Sequence, residues 1–185
     1  MTTPETHGLF GLLKDAVEKF ELKVLARDAE IGPAHEALSP MTGHWAGTMK
    51  TWLSPGNPYD VQHVTSTVQW TLGNRFLEQR FEGLFLGQPF SAVCITGYDD
   101  AARRYEANWM DSATTAMLSL SGQMDPVSKV LTLFGSMKLT GIPGTTVDIR
   151  SAIAMNGANG LRYEISIGRF GIWVKAHEID LTRST

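Results

Sequence analysis

Two rhythms of apolar and polar positions divide the chain. Between residues 8 and 30 the apolar side chains recur at steps of three and four, with charged residues between them: Leu9, Leu12, Leu13, Val17, Phe20 and Val24. This period predicts an amphipathic helix. A second short helical stretch is predicted over 34–38, closed by Ser39 and Pro40.

From Gly43 onward the pattern changes to short runs of alternating apolar and polar residues, separated by turn-forming residues. Gly73-Asn74 and Asp99-Asp100 are typical of tight hairpin turns. Links this short join consecutive strands as antiparallel neighbours. The pattern predicts ten strands, over 44–53, 61–71, 74–83, 90–98, 103–111, 114–122, 129–139, 146–156, 160–168 and 171–183.

Ten antiparallel strands in up-and-down order leave two unpaired edges unless the sheet closes on itself. We therefore expect a mainly β fold, a ten-stranded closed barrel preceded by an N-terminal helical arm. A two-sheet sandwich is the competing architecture, although the long crossing loops that it needs are not evident. The arm, residues 1–40, is expected to pack on the barrel domain, residues 41–185, or to plug one of its ends. A membrane-surface helix is disfavoured because the polar face of the arm mixes both charges.

Composition narrows the function classes. The net charge is −3 and no basic cluster occurs, which disfavours nucleic-acid binding. No apolar run is long enough for a membrane span, and no signal peptide is evident, so a cytoplasmic location is expected. The single cysteine, Cys94, lies in an apolar strand and is expected to be a buried, inert thiol. A homodimer through barrel faces or the arm is compatible with the sequence, but no residue indicates one.

Several motifs follow one another along the barrel region: Gly43-His44-Trp45-Ala46-Gly47, Leu72-Gly73-Asn74-Arg75-Phe76-Leu77, Gly87-Gln88-Pro89-Phe90, Trp109-Met110-Asp111-Ser112, Gly122-Gln123-Met124-Asp125 and Thr182-Arg183. Their order and spacing resemble the bacterial domain of unknown function 1579 family, over about residues 35–183. The resemblance implies a lipocalin-like, calycin-type barrel in which Trp45 plugs the closed end. It implies no established reaction, ligand or catalytic residue.

Asp111 and His177 are the candidate catalytic residues. If Trp109 and Asp111 point inward, an aromatic wall and a carboxylate share one cavity, and a carboxylate there can act as acid or base. The alternative is that Asp111 begins a turn and binds backbone amides near Ser112. His177 lies in the last predicted strand. Distant similarity to haem-binding nitrobindins, which use a histidine near the end of the barrel, implies a haem ligand there as an alternative.

The other candidates are ligand-binding residues. Arg150 and Glu164 lie on the two strands of one predicted hairpin, where they could form a pair that anchors a polar ligand group or simply an exposed cross-strand pair. No histidine or cysteine spacing matches a metal motif, so no metal site and no cofactor are predicted. The expected ligand-binding residues are Trp70, Phe81, Trp109, Met117, Arg150, Glu164, Trp173 and His177.

The sequence thus predicts a barrel that binds a small hydrophobic or amphipathic molecule in its interior. A cofactor-independent isomerase, cyclase or hydrolase acting on a hydrophobic metabolite is the first alternative, since barrels of this kind host carriers and catalysts alike. A haem-binding barrel and an interaction protein whose interior is filled by side chains are the others.

Overall fold

The computed structural model of the protein describes residues 5–28, 30–139, 144–169 and 171–184, and the side chains of these residues except 5–12, 25–28 and 169. The chain divides into two compact units, Met1–Gly32 and Pro33–Thr185.

The first unit contains one long helix, α1 (Glu5–Asp28), which confirms the predicted N-terminal helix. Leu9 and Leu12 lie outside the described side chains. Leu13, Val17 and Phe20 are exposed. That the arm packs on the barrel or plugs one of its ends stays a prediction. No helix in the described part of the chain is long and apolar enough to cross a membrane.

The second unit is a closed antiparallel barrel preceded by a short helix and a 3₁₀ turn. Each strand pairs with its neighbours in sequence, and β1 pairs with β10 to close the sheet. This confirms the predicted barrel, and the sandwich alternative is wrong. The elements are α2 (Pro33–Glu36), the 3₁₀ turn (Ser39–Met41), β1 (Gly43–Thr51), β2 (Asp60–Thr71), β3 (Phe76–Phe85), β4 (Gln88–Asp99), β5 (Arg104–Asp111), β6 (Leu118–Met124), β7 (Leu131–Lys138), β8 (Thr146–Asn156), β9 (Gly160–Arg169) and β10 (Ile172–Arg183).

Several strand ends differ from the prediction by one to four residues, and turn chemistry explains two of them. β3 continues to Phe85 and turns through Leu86 and Gly87, whose φ angles are 49° and 75°. Such left-handed backbone pairs match the twist of a two-residue hairpin. β6 begins only at Leu118, since the carboxylate of Asp111 accepts backbone N–H groups of the loop that follows β5.

One end of the barrel, which we call the cap end, is closed by α2 and the 3₁₀ turn. Leu38 and Met41 are buried there. Trp45 is 1% exposed, and its Nε1 donates a hydrogen bond to the carbonyl of Met41 over 2.9 Å. The guanidinium of Arg183 stacks on the Trp45 ring, 4.2 Å from its centroid, and donates to the carbonyls of Thr42 and Pro40. The tryptophan of the Gly-His-Trp motif therefore fastens the cap segment to the barrel.

Alternation along each strand separates the lumen from the outer face. In β8, for example, Val147, Ile149 and Ile153 are buried, while the residues between them are more exposed. The end opposite the cap, which we call the mouth, is where β1 ends at Thr51, β3 at Phe85 and β5 at Asp111. At the mouth, the lumen-facing residues Phe85, Phe90 and Asp111 are half-buried, whereas Thr51 is buried.

Candidate functional site

Asp111 is the last residue of β5 and lies at the mouth. It shares the lumen-facing register of Tyr105, Ala107 and Trp109. One carboxylate oxygen, Oδ1, accepts the backbone N–H groups of Ala113 and Thr114, at 3.0 and 2.9 Å. The other, Oδ2, accepts the indole N–H of Trp109 at 2.7 Å. Asp111 therefore shapes the turn and also belongs to the mouth, while its role as an acid or base stays a prediction.

His177 reaches the mouth from β10. It continues the lumen-facing alternation of Ile179 and Leu181, and a β-bulge between Lys175 and His177 reverses the alternation before it, so that Lys175 faces outward. Nδ1 of His177 lies 3.2 Å from the hydroxyl of Thr51, and its ring meets the ring of Phe85 at a centroid distance of 5.9 Å. Burial lowers the pKa of His177, while the nearby Asp111 carboxylate acts in the opposite direction. The imidazole is therefore neutral at neutral pH.

Aromatic rings line the lumen between these two polar groups. Phe85 and Phe90 are in contact, with centroids 5.8 Å apart. Phe81 lies deeper, 5.4 Å from the Trp109 ring and 5.8 Å from the Tyr163 ring. Phe85, Phe90 and Trp109 are half-buried, whereas Phe81 is 1% exposed. The rings thus form a wall that is reachable near the mouth and closed at the level of Phe81.

Below this wall a chain of hydrogen bonds crosses the lumen. The Tyr163 hydroxyl on β9 donates to Oε1 of Gln79 on β3 at 2.7 Å, and Nε2 of Gln79 donates to the Ser66 hydroxyl at 2.9 Å. All three residues are buried. Burial raises the pKa of Tyr163 far above its ordinary value. Each of these side chains has a hydrogen-bond partner, and apolar rings surround them. The three hydrogen-bonded residues therefore form a floor beneath the mouth.

Cys94 faces the lumen beside Trp109, its cross-strand partner. Desolvation raises the pKa of its thiol to about 11, yet the residue keeps some accessible surface. The raised pKa leaves a small thiolate fraction, so the thiol reacts slowly and its alkylation needs alkaline pH or long incubation. The residue is partly buried, so the predicted burial is confirmed only in part, and its inertness stays a prediction.

Of the predicted site residues, Asp111, His177, Trp109 and Phe81 are brought together at or just below the mouth. Trp70 faces the lumen but pairs with Leu77 near the cap end, so it lies at the wrong end of the barrel. Met117 precedes β6 and is 69% exposed.

Arg150, Glu164 and Trp173 lie on the outer face of the barrel wall, because each falls on the strand position opposite to the buried one. The guanidinium of Arg150 contacts the Ser166 hydroxyl and stacks 5.1 Å from the centroid of the Trp173 ring. Glu164 instead pairs with Lys175 at 3.0 Å. The expected pairing of Arg150 with Glu164 is therefore wrong, and neither residue is placed to anchor a molecule in the lumen.

A second carboxylate stands at the rim. Asp60 begins β2 opposite Thr51 and accepts hydrogen bonds from Nε2 of Gln62 at 2.8 Å and from the backbone N–H of Leu86 at 3.0 Å. Sequence reasoning missed Asp60, Thr51, Phe85 and Phe90. The signal for Phe85 was the alternation of Phe81, Gly83 and Phe85, which continues past the predicted end of the strand.

Two other features of the described chain bear on ligands. No group of three or more histidine, cysteine or acidic side chains is placed to hold a metal ion there. A groove of about 530 Å³ lies at the cap end, between the 3₁₀ turn and the hairpins of β6 to β9, and is lined mostly by apolar side chains such as Met41 and Met155. None of the mouth residues takes part in it.

A closed ten-stranded antiparallel barrel with a tryptophan at its capped end defines a lipocalin-like barrel. The model of the family of proteins of unknown function DUF1579 matches residues 30–183, so the chain belongs to that family. No curated protein matches the sequence.

Two solved structures are similar to this chain. The crystal structure of Rv2717c from M. tuberculosis is 19% identical, with a TM-score of 0.59 over 84% of this chain and 100% of the other. At this identity the similarity shows the fold alone. The S-type phycobiliprotein lyase CPES from Guillardia theta is 13% identical, with a TM-score of 0.48 over 81% of this chain and 92% of the other.

Proposed function

We propose that the protein binds a small hydrophobic or amphipathic molecule in the lumen of the barrel, entering at the mouth. The observation that carries the proposal is the partial exposure of Cys94 and His177, which both face the lumen. Burial shifts the pKa of both. Partly exposed residues on the inner side of a closed barrel can be reached by a small molecule that enters at the mouth.

The walls of this space suit an apolar guest. Half-buried rings of Phe85, Phe90 and Trp109 supply edge and face contacts for an apolar body. The few polar groups stand at the entrance, where Asp111, His177 and Thr51 can orient the guest. The crossing chain from Tyr163 to Ser66 limits how deep the guest reaches. Strand geometry gives about 7 Å between the levels of His177 and Tyr163, two residues apart across β9, so we expect a short or single-ring molecule.

Binding is tested with N-phenyl-1-naphthylamine, a neutral dye that fluoresces in apolar surroundings. We expect saturable binding of one dye per chain. At a free dye concentration ten times the Kd, alkylation of Cys94 by iodoacetamide should slow about tenfold. Because Cys94 is the single thiol of the chain, the mass of the alkylated protein reports this site alone.

A matched pair of variants locates the dye. Cys94→Phe fills the lumen and should abolish binding, whereas Val93→Phe adds the same ring to the outer face of the same strand and should leave binding intact. Circular dichroism checks that both variants fold. Dye binding that survives Cys94→Phe, or that leaves Cys94 alkylation unchanged, would overturn the proposal.

Two further measurements separate this proposal from the haem and enzyme hypotheses. The native mass spectrum and visible spectrum of the purified protein are recorded first. A Soret band that His177→Ala removes would favour a haem protein over this proposal. A captured molecule that is converted on incubation would favour an enzyme, because the carboxylate of Asp111 and the neutral imidazole of His177 share the mouth and can move protons there.

A further inference from the structure

The charge at the mouth points to the kind of molecule that the proposed lumen site accepts. Two carboxylates stand there, Asp111 at the end of β5 and Asp60 at the start of β2. Among the side chains that the structure describes, no lysine, arginine or histidine forms an ion pair with either of them within 4.0 Å. The nearest titratable base, His177, is neutral at neutral pH.

The hydrogen bonds that Asp111 accepts do not remove its charge. They come from two backbone amides and an indole, which are neutral donors. An ionised carboxylate offers about four acceptor positions, so one position on Asp111 remains. Asp60 accepts two bonds, again from neutral donors. The mouth therefore carries negative charge together with unused acceptor positions.

Four cations of the barrel are engaged with other partners. Lys50, Arg162 and Lys175 face outward and pair with Glu178 on the outer face. Arg183 stacks on Trp45 at the cap end. None of these four therefore neutralises the carboxylates at the mouth.

Aromatic faces complete the setting. The indole N–H of Trp109 donates to Asp111, and the rings of Phe85 and Phe90, which contact each other, line the same lumen. The negative face of an aromatic ring attracts an organic cation, more strongly where water is excluded. A carboxylate next to such rings favours an ammonium group and opposes a carboxylate or phosphate group.

We propose, on the basis of the lumen site inferred above, that the ligand is a small organic cation: an apolar or aromatic body that carries an amine protonated at neutral pH or a quaternary ammonium group. Its body packs on the rings between Phe81 and Phe90. Its charged group pairs with Asp111, and Asp60 adds a longer-range attraction from the rim.

Three probes with one ring and different head groups test this inference: 2-phenylethylamine, 2-phenylethanol and phenylacetate. Affinities are measured at pH 7 by isothermal titration calorimetry, with protection of Cys94 from iodoacetamide as the reporter of lumen binding. We expect the amine to bind about tenfold more tightly than the alcohol. Phenylacetate should bind more weakly than either.

Asp111→Asn keeps the size of the side chain and one of its two acceptor oxygens, and it removes the charge. We expect the preference for the amine over the alcohol to fall close to one. Asp148→Asn, on the outer face of β8, changes the net charge equally and should leave the preference unchanged. Phe85→Leu, which keeps an apolar side chain but removes a ring, should weaken the amine more than the alcohol.

The outcomes distinguish this inference from the proposed function. If all three probes protect Cys94 with equal affinity, or if phenylacetate binds best, the lumen site stands and the cation preference is overturned. The same holds if Asp111→Asn and Asp148→Asn behave alike. If none of the probes, nor the neutral dye, protects Cys94, the lumen site itself is overturned.

Discussion

Glu178 is a carboxylate on the outer face of the barrel that three cations bury. Lys50, Arg162 and Lys175 approach its oxygens to 2.9, 2.6 and 2.8 Å, and its side chain is 8% exposed. Hydrogen bonds and charges from these partners lower the pKa of Glu178 to about 2. The cluster joins β1, β9 and β10, the three strands at which the barrel closes.

This pKa gives the direction of a pH effect. Because the folded pKa lies below the ordinary value of 4.5, the ionised carboxylate stabilises the folded chain above pH 4.5, and that stability is lost as the pH falls toward 2. We expect Glu178→Gln to lower the free energy of unfolding at pH 7 by about 2 kcal/mol, since it leaves three partly exposed cations without their anion. The variant should also lose less stability between pH 4.5 and 2.

Urea unfolding followed across this pH range makes the measurement. Glu106→Gln is the matched control, because Glu106 pairs with Arg104 on an exposed surface and should contribute about 0.5 kcal/mol or less. Equal effects of the two variants at pH 7 would contradict a stabilising role for the cluster.

Among the strands, β1 depends on a glycine where it meets β10. A Cβ atom built at Gly47 would lie 1.9 Å from the carbonyl oxygen of Asp180 and 2.9 Å from Cα of Leu181. Both neighbours are backbone atoms of a strand that is paired on both sides, so neither can move without disturbing the ladder.

We therefore expect Gly47→Ala to lower the free energy of unfolding by about 3 kcal/mol, through steric overlap that the barrel cannot relieve. Gly32→Ala is the control, since a Cβ atom there meets no atom within 4 Å, and its effect should stay within about 0.5 kcal/mol. Denaturant unfolding measures both. A Gly47→Ala variant as stable as the wild type would mean that β1 and β10 separate at this point without cost.

The strands themselves were predictable because alternation and turn residues are local signals. The same alternation places Trp109 and Asp111 on one face of β5, but the sequence left open which face is inward, and the structure places this one in the lumen. The alternation also placed Arg150 opposite the face of Ile149 and Ile153. Arg150 was predicted to bind a ligand because its charge suits a polar anchor, although its position on the strand indicates the outer face.

Other parts of the mouth depend on contacts between distant strands. The bulge at Ala176 reverses the alternation of β10, so that Trp173 faces outward and His177 faces the lumen. No composition signal marks that bulge. Thr51 meets His177, and Phe85 meets His177, only because the barrel closes and brings together residues about a hundred positions apart.

In the molecule as a whole, the barrel has no free edge, yet the pairings between neighbouring strands differ in length. β6 shares five register pairs with β5 and five with β7. β9 shares ten pairs with β10. Because fewer backbone hydrogen bonds hold β6, it is the strand at which the closed sheet opens most easily.

We expect native-state hydrogen exchange at low denaturant to release the amides of β6 before those of the other nine strands. The amides of β9 should exchange only with global unfolding. Mass spectrometry of exchanged peptides covering Leu118–Met124 and Gly160–Arg169 makes the comparison. If the amides of both segments exchange with the same free energy of opening, the barrel opens as a single unit. That result would contradict the prediction that β6 opens first.

Closure of β1 onto β10 has a further consequence for how the polypeptide can be connected. Trp45 pairs with Arg183, and the amide of Ser184 donates to the carbonyl of His44, so the two ends of the barrel sequence meet at the cap end. A short peptide that joins them would make the polypeptide of the barrel circular. The new chain ends could then be placed elsewhere, for instance in the exposed loop around Gly56, and such a circular permutant would retain the order of the strands around the barrel.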